Sequence, residues 1–160
     1  MITPLRTLYD NSASPECLAR FDKTTFTETQ IASFDEQRVA IIRKQEAYKA
    51  AHPVIAIYRL ATEGSRTRNG GEIQKASSPL TFSLPDGSEV RAALKGDYVV
   101  YPDGCTAQII SGTGSENSDM ALVGSRLSNG DEIVNTPQDI GVWTQRSGEQ
   151  MAGDFLPTDV

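Results

Sequence analysis

The chain has 160 residues, a mass of 17.3 kDa and a formal net charge of −6. Hydrophobic residues make up 38% and charged residues 22%, and with the 13 glycines the apolar share reaches that of folded domains, which excludes a disordered chain. The longest strictly apolar run is the five residues Val54–Tyr58, so neither a transmembrane helix nor a signal peptide is expected in this sequence.

Residues 1–26 show no clear period. A helix is expected over residues 33–51. Ser33-Phe34-Asp35-Glu36 fits a capping box, and Phe34, Ile41 and Tyr48 then recur every two turns. Thr27 with Gln30 is an alternative start. His52-Pro53 ends the helix, because the residue before a proline is pushed out of the α region. From Val54 the pattern becomes short strands: Val54–Arg59, Leu80–Leu84, Ser88–Leu94, Tyr98–Tyr101, Ala107–Ile110, Met120–Val123 and Glu132–Asn135. Pro85-Asp86-Gly87, Pro102-Asp103-Gly104 and Asn129-Gly130 separate them, residues that suit tight turns. The expected division is an extension over 1–53, a β domain over 54–144 and an irregular tail over 145–160.

Charge follows that division. Residues 1–53 balance seven Lys/Arg against seven Asp/Glu, while 54–160 carry eight against fourteen. An acidic body argues against nucleic acid and against an anionic membrane surface as partners. Cys17 and Cys105 are expected to be free thiols.

The β region repeats. Gly64-Ser65-Arg66-Thr67-Arg68-Asn69-Gly70-Gly71-Glu72-Ile73 returns as Gly124-Ser125-Arg126-Leu127-Ser128-Asn129-Gly130-Asp131-Glu132-Ile133, identical at seven of ten positions. A looser copy lies between them, with Gly96-Asp97, Asp103-Gly104 and Ile109, and about four extra residues assigned to its turn. A hairpin-sized unit cannot bury its apolar face alone, so similar units must share a core. The expected fold is mainly β: three quasi-repeated β units whose turns converge, preceded by a helical extension.

The Gly-(Asp/Ser) corners, the Asn-Gly turns and the Ser-Ser-Pro-led strands resemble the PAAR-repeat proteins over about residues 60–137. The resemblance implies a small conical tip on a trimeric, VgrG-like β-helical spike protein of a contractile injection machine, type VI secretion or phage tail. It implies effector delivery by membrane piercing, with effectors fused or docked, and no reaction. The chain would be cytoplasmic until assembled and then leave with the machine. The repeat corners Gly64, Gly96, Asp97 and Gly124 are the expected binding positions, and Phe34, Ile41 and Tyr48 would form a docking helix for an effector, its chaperone or the spike. The alternative is a cytosolic adaptor that loads an effector through residues 1–53.

The family commonly pins its apex with a zinc ion. Here the matching positions are Asn69, Tyr101, Asp103 and Asn129, with Cys105 nearby and no histidine among them. No zinc or other cofactor is therefore expected. The three turn residues Asn69, Asp103 and Asn129 could instead tie the apex by hydrogen bonds, or simply serve tight turns. No catalytic residue is assigned. His52, the only imidazole, sits at a helix end, and the adjacent acids Asp35-Glu36 and Asp131-Glu132 suit a cap and a turn.

Overall fold

A computed structural model of the chain describes residues 7–23 and 26–156. The elements run α1 (Pro15–Arg20), α2 (Glu28–Ala32), α3 (Glu36–Ala51), β1 (Val54–Arg59), β2 (Thr81–Ser83), β3 (Glu89–Arg91), β4 (Tyr98–Val100), β5 (Thr106–Gln108), a single 3-10 turn (Ser115–Asn117) and β6 (Val142–Arg146). Strand residues outnumber helical ones, and the sheets are two-stranded: β1 with β6, β2 with β3, β4 with β5. The described residues form two compact units, one of 7–12, 58–143 and 151–156, the other of 13–57 and 144–150.

In the helical unit each helix has a side-chain cap. Ser14 accepts from the Cys17 N–H at 3.1 Å, and Thr27 and Gln30 form a reciprocal capping box at 3.2 and 2.8 Å. The expected box at Ser33 does not form. Ser33 instead ends α2, its hydroxyl donating to the Gln30 carbonyl at 2.6 Å, and Asp35 caps α3 by accepting from the Arg38 N–H at 2.8 Å. The two starts weighed in the sequence are therefore two helices. The α3 helix ends before Pro53, with His52 Nδ1 lying 2.7 Å from the Ser147 carbonyl. Asp22 holds the unit together by accepting from Arg146 at 2.9 Å and from the Val54 N–H. Its buried apolar set is small: Ile31, Ile42, Val54 and Ile57.

The β unit is three copies of one hairpin motif joined in a closed cycle. In each copy the corner glycine (Gly64, Gly96, Gly124) donates to the last strand residue (Ile73, Ile109, Ile133) at 2.8 Å. That residue donates back to the position after the glycine (Ser65, Asp97, Ser125), at 2.8–2.9 Å. The copies then pair in a ring. The Ala61 N–H donates to the Ala121 carbonyl, Ala121 to Ala93 and Ala93 to Ala61, each at 2.9 Å. Around them Glu72 pairs with Val100, Gln108 and Ile110 with Ser128 and Arg126, and Glu132 and Val134 with Arg68 and Arg66. The last copy thus returns to the first.

The extra residues of the middle copy lie in its arms and not in its turn. Tyr98↔Gln108, Val99↔Ala107 and Val100↔Thr106 lengthen the hairpin by two residues a side. Its turn then repeats the others: Tyr101 N–H to Cys105 O matches Thr67 to Gly71 and Leu127 to Asp131. Two extra residues in each arm extend this hairpin by about 7 Å relative to its equivalents.

Alternation along the ring segments sorts the core into two clusters. Ala61, Ala93 and Ala121, all fully buried, join Ile73, Ile109, Leu127, Ile133 and Val99 between the hairpins. Their neighbours Leu60, Ala92 and Leu122 pack instead with Phe82, Leu84 and Val90 of the β2–β3 hairpin. Residues 120–123 and 132–135, expected as strands, form single bridges: Met120 with Leu94, Leu122 with Leu60, Glu132 with Arg126, Ile133 with Thr67.

Two chain ends differ from expectation. Residues 7–12 belong to the β unit: Tyr9 exchanges both backbone bonds with Thr136 at 2.8 and 2.9 Å. The Asn11 amide bridges the Arg59 N–H and the Val123 carbonyl, and buried Arg59 donates to the Ser12 and Asp10 carbonyls and pairs with Asp139 at 2.6 Å. The tail is not irregular throughout either. Residues 142–146 are β6, and Phe155 bridges Gly112 in parallel, where a Cβ on Gly112 would run into the Met120 carbonyl. Residues 157–160 of the expected tail lie outside the described residues.

Candidate functional site

The three turns bring Asn69, Tyr101, Asp103, Cys105 and Asn129 around one hollow of about 430 Å³. Each turn carries a glycine with φ of +91° (Gly70), +87° (Gly104) or +87° (Gly130), a conformation that favours glycine.

The hollow is organised by a residue the sequence assigned only to a turn, Asp131. Asp131 as a whole is buried, 3% exposed. It accepts from the Tyr101 hydroxyl at 2.6 Å, the Glu132 N–H at 2.8 Å and the Asn69 N–H at 3.3 Å. The Asn129 amide donates to the Tyr101 oxygen at 3.0 Å, while its carbonyl accepts from the Asp131 N–H at 3.0 Å. One carboxylate and one phenol therefore tie all three copies. The longer middle hairpin makes this feasible, since it carries Tyr101 over Gly71, where a Cβ would meet both the Tyr101 ring and the Thr67 hydroxyl oxygen at 3.0 Å.

Burial and the bond to Asp131 push the Tyr101 phenol above its usual range. For Asp131, burial favours the neutral acid, but the bonds from Thr67, Tyr101 and the Glu132 and Asn69 N–H groups outweigh it and hold the carboxyl below its ordinary value. Asp103 takes no part in the tie; it accepts from the Cys105 N–H at 2.9 Å, closing its own turn. The same carboxylate raises the pKa of the exposed Cys105 thiol, the opposite of what a nucleophilic cysteine needs.

The corner residues work locally. Ser65 and Ser125 hydroxyls accept from the Thr62 and Leu122 N–H groups at 2.9 Å, and the Asp97 carboxylate does the same for Leu94. Asp97 also accepts from the Ser77 N–H at 3.1 Å and hydroxyl at 2.7 Å. The corners differ in access. A Cβ on Gly96 would meet only the Gln108 amide at 4.0 Å, whereas Gly124 has Leu156 and Asn11 beside it. Of the expected docking helix, Phe34 lies outside α3, before its Asp35 cap, because the helix starts later than the sequence suggested. It is half-buried, 5.1 Å from the Phe26 ring and under the Arg38 guanidinium, while Ile41 and Tyr48 on α3 are 56% and 46% exposed.

Comparison of the chain with protein-family models, with curated proteins and with solved structures gives no match. No helix among the described residues is long and apolar enough to cross a membrane.

Proposed function

We propose that this chain is a spike-tip protein of a contractile injection machine, built on the PAAR plan as a small cone. One observation carries the reading: three copies of one motif from a single chain close a ring, with equivalent N–H···O bonds between Ala61, Ala121 and Ala93. A single chain with quasi-threefold symmetry can match a trimer, giving each subunit of a β-helical spike an equivalent surface. The converging turns would form the leading end. The work is mechanical, with no reaction and no catalytic residue. The protein would stay in the cytoplasm until assembly and leave with the spike, carrying effectors.

The zinc ion implied by the resemblance does not fit these residues. The turns supply amides, the carboxylates of Asp103 and Asp131 and one thiol, with no imidazole, and no group of three or more His, Cys, Asp or Glu gathers among the described residues. The oxygens best placed to replace a metal, on Asp131 and Tyr101, are already committed to each other. The hydrogen-bond tie takes the place of the ion.

Affinity purification of the tagged chain from its native cells, with mass spectrometry, tests the proposal. A trimeric β-helical spike protein should be recovered at about three copies per chain, as the symmetry requires. Recovery of an effector or chaperone without any spike protein would overturn it in favour of an adaptor.

A further inference from the structure

The exposed side of α3 carries a groove. The helix has 16 residues, yet Ile42 is its only buried one. The unit that contains it buries four apolar side chains among the described residues, a thin core for its size. Ile41 and Tyr48, two turns apart, stay exposed at 56% and 46%. With Lys44, Gln45, Lys49 and Arg146 they line a groove of about 740 Å³.

The groove's charge indicates its occupant. Its charged lining residues are all basic, in a chain whose net charge is −6. Arg146 is held by Asp22, and Glu149 accepts a hydrogen bond from the Tyr48 hydroxyl at the rim. Lys44 and Lys49 are thus the cations placed to meet a ligand. Two apolar side chains at helical spacing, with Lys44 between them and Lys49 just beyond, complement a helix carrying an apolar stripe and acidic flanks. An anionic membrane fits less well. Two apolar side chains make a poor interfacial face, and the acidic body would be repelled.

We propose that this groove binds an acidic amphipathic helix of a partner protein, independently of what the β unit docks on. The probe is a fluorescent synthetic peptide of about five helical turns, with leucine on one face and glutamate elsewhere. A second peptide carries lysine in place of glutamate. Anisotropy with the full chain should show saturable binding of the glutamate peptide, weakened by salt. Binding should fall about tenfold in Ile41→Asp and in the Lys44→Glu/Lys49→Glu double variant. Ile41 and Lys44 are exposed and Lys49 is partly exposed, and circular dichroism should match the parent chain. Bound peptide should also slow amide exchange in residues 36–51. Equal binding of the two peptides would overturn the proposal, as would no binding or undiminished binding by the variants. Lysine-dependent capture of the chain by phosphatidylglycerol vesicles would overturn it in favour of a membrane.

Discussion

Replacing Tyr101 with phenylalanine isolates the bond that ties the three turns. The ring stays over Gly71 and the apolar contact is kept, while the hydroxyl 2.6 Å from Asp131 is lost. A hydrogen bond to a charged group contributes about 1.5–3 kcal/mol. Asp131 keeps the N–H groups of Glu132 and Asn69, and the exposed Asn129 amide can turn to water, so the loss should be about 2 kcal/mol. With a typical urea slope near 2 kcal/mol per molar, the midpoint should fall by about 1 M. Asp131→Asn should cost a similar amount, and the double variant should fall short of the sum by at least about 1 kcal/mol, because both remove one bond. Urea titrations of the four proteins by tryptophan fluorescence, using Trp143, give the cycle. Additive losses, or a Tyr101→Phe protein within about 0.5 kcal/mol of the parent, would refute the idea that this bond holds the three turns together.

The same network should leave a pH signature. Asp131 has a folded pKa below its unfolded one, so its stabilisation is present above about pH 4 and is lost as pH falls through the folded value; Asp131→Asn should erase that part of the acid limb in urea titrations across pH. Ala93→Leu should destabilise the chain by about 1–3 kcal/mol in urea, since the ring alanine is fully buried and has no room for added carbons. Truncation after Gln150 removes the Phe155 and Leu156 contacts and the pairing with Gly112, and should lower the melting temperature in calorimetry. Both Asn-Gly turns can deamidate through attack of the glycine nitrogen on the side-chain amide. Asn129 is held at both ends of its amide and Asn69 is not, so peptide mapping of aged protein should show conversion at Asn69 first.

Much of the β unit was legible in the sequence because repeated residues do repeated work. The corner glycines, the oxygen side chain that follows them and the Asn-Gly turns are local requirements, and local requirements leave local patterns. The middle copy was placed correctly, but its additions were assigned to the turn. Only pairing shows that Tyr98–Val100 and Thr106–Gln108 extend the arms. Asp131 was missed as an organiser because its partners lie in the other two copies, 30 and 62 positions away. One signal was present: Gly71, Cys105 and Asp131 occupy one repeat position and share no chemistry, a sign that the position answers to tertiary contacts. Residues 7–12 and 151–156 were unreadable for a similar reason, since each is held by a few backbone bonds and single side chains, with no period. The cap of α3 was misplaced because Ser33 and Asp35 both suit an N-cap, and the deciding factor was the short helix in front.

The ring has a consequence for how the chain is made. Its closing bond joins Val134 to Arg66, so the strands of the first copy have no partner on that side until the third has emerged from the ribosome. During that interval the nascent chain exposes an open strand edge, the template on which aggregates grow. Once Val134 docks, the three hairpins cover one another's edges together. Closure over such a span should be slow for a chain of this length, and assembly should be all-or-none, with little persistent structure in fragments that stop short of the third copy.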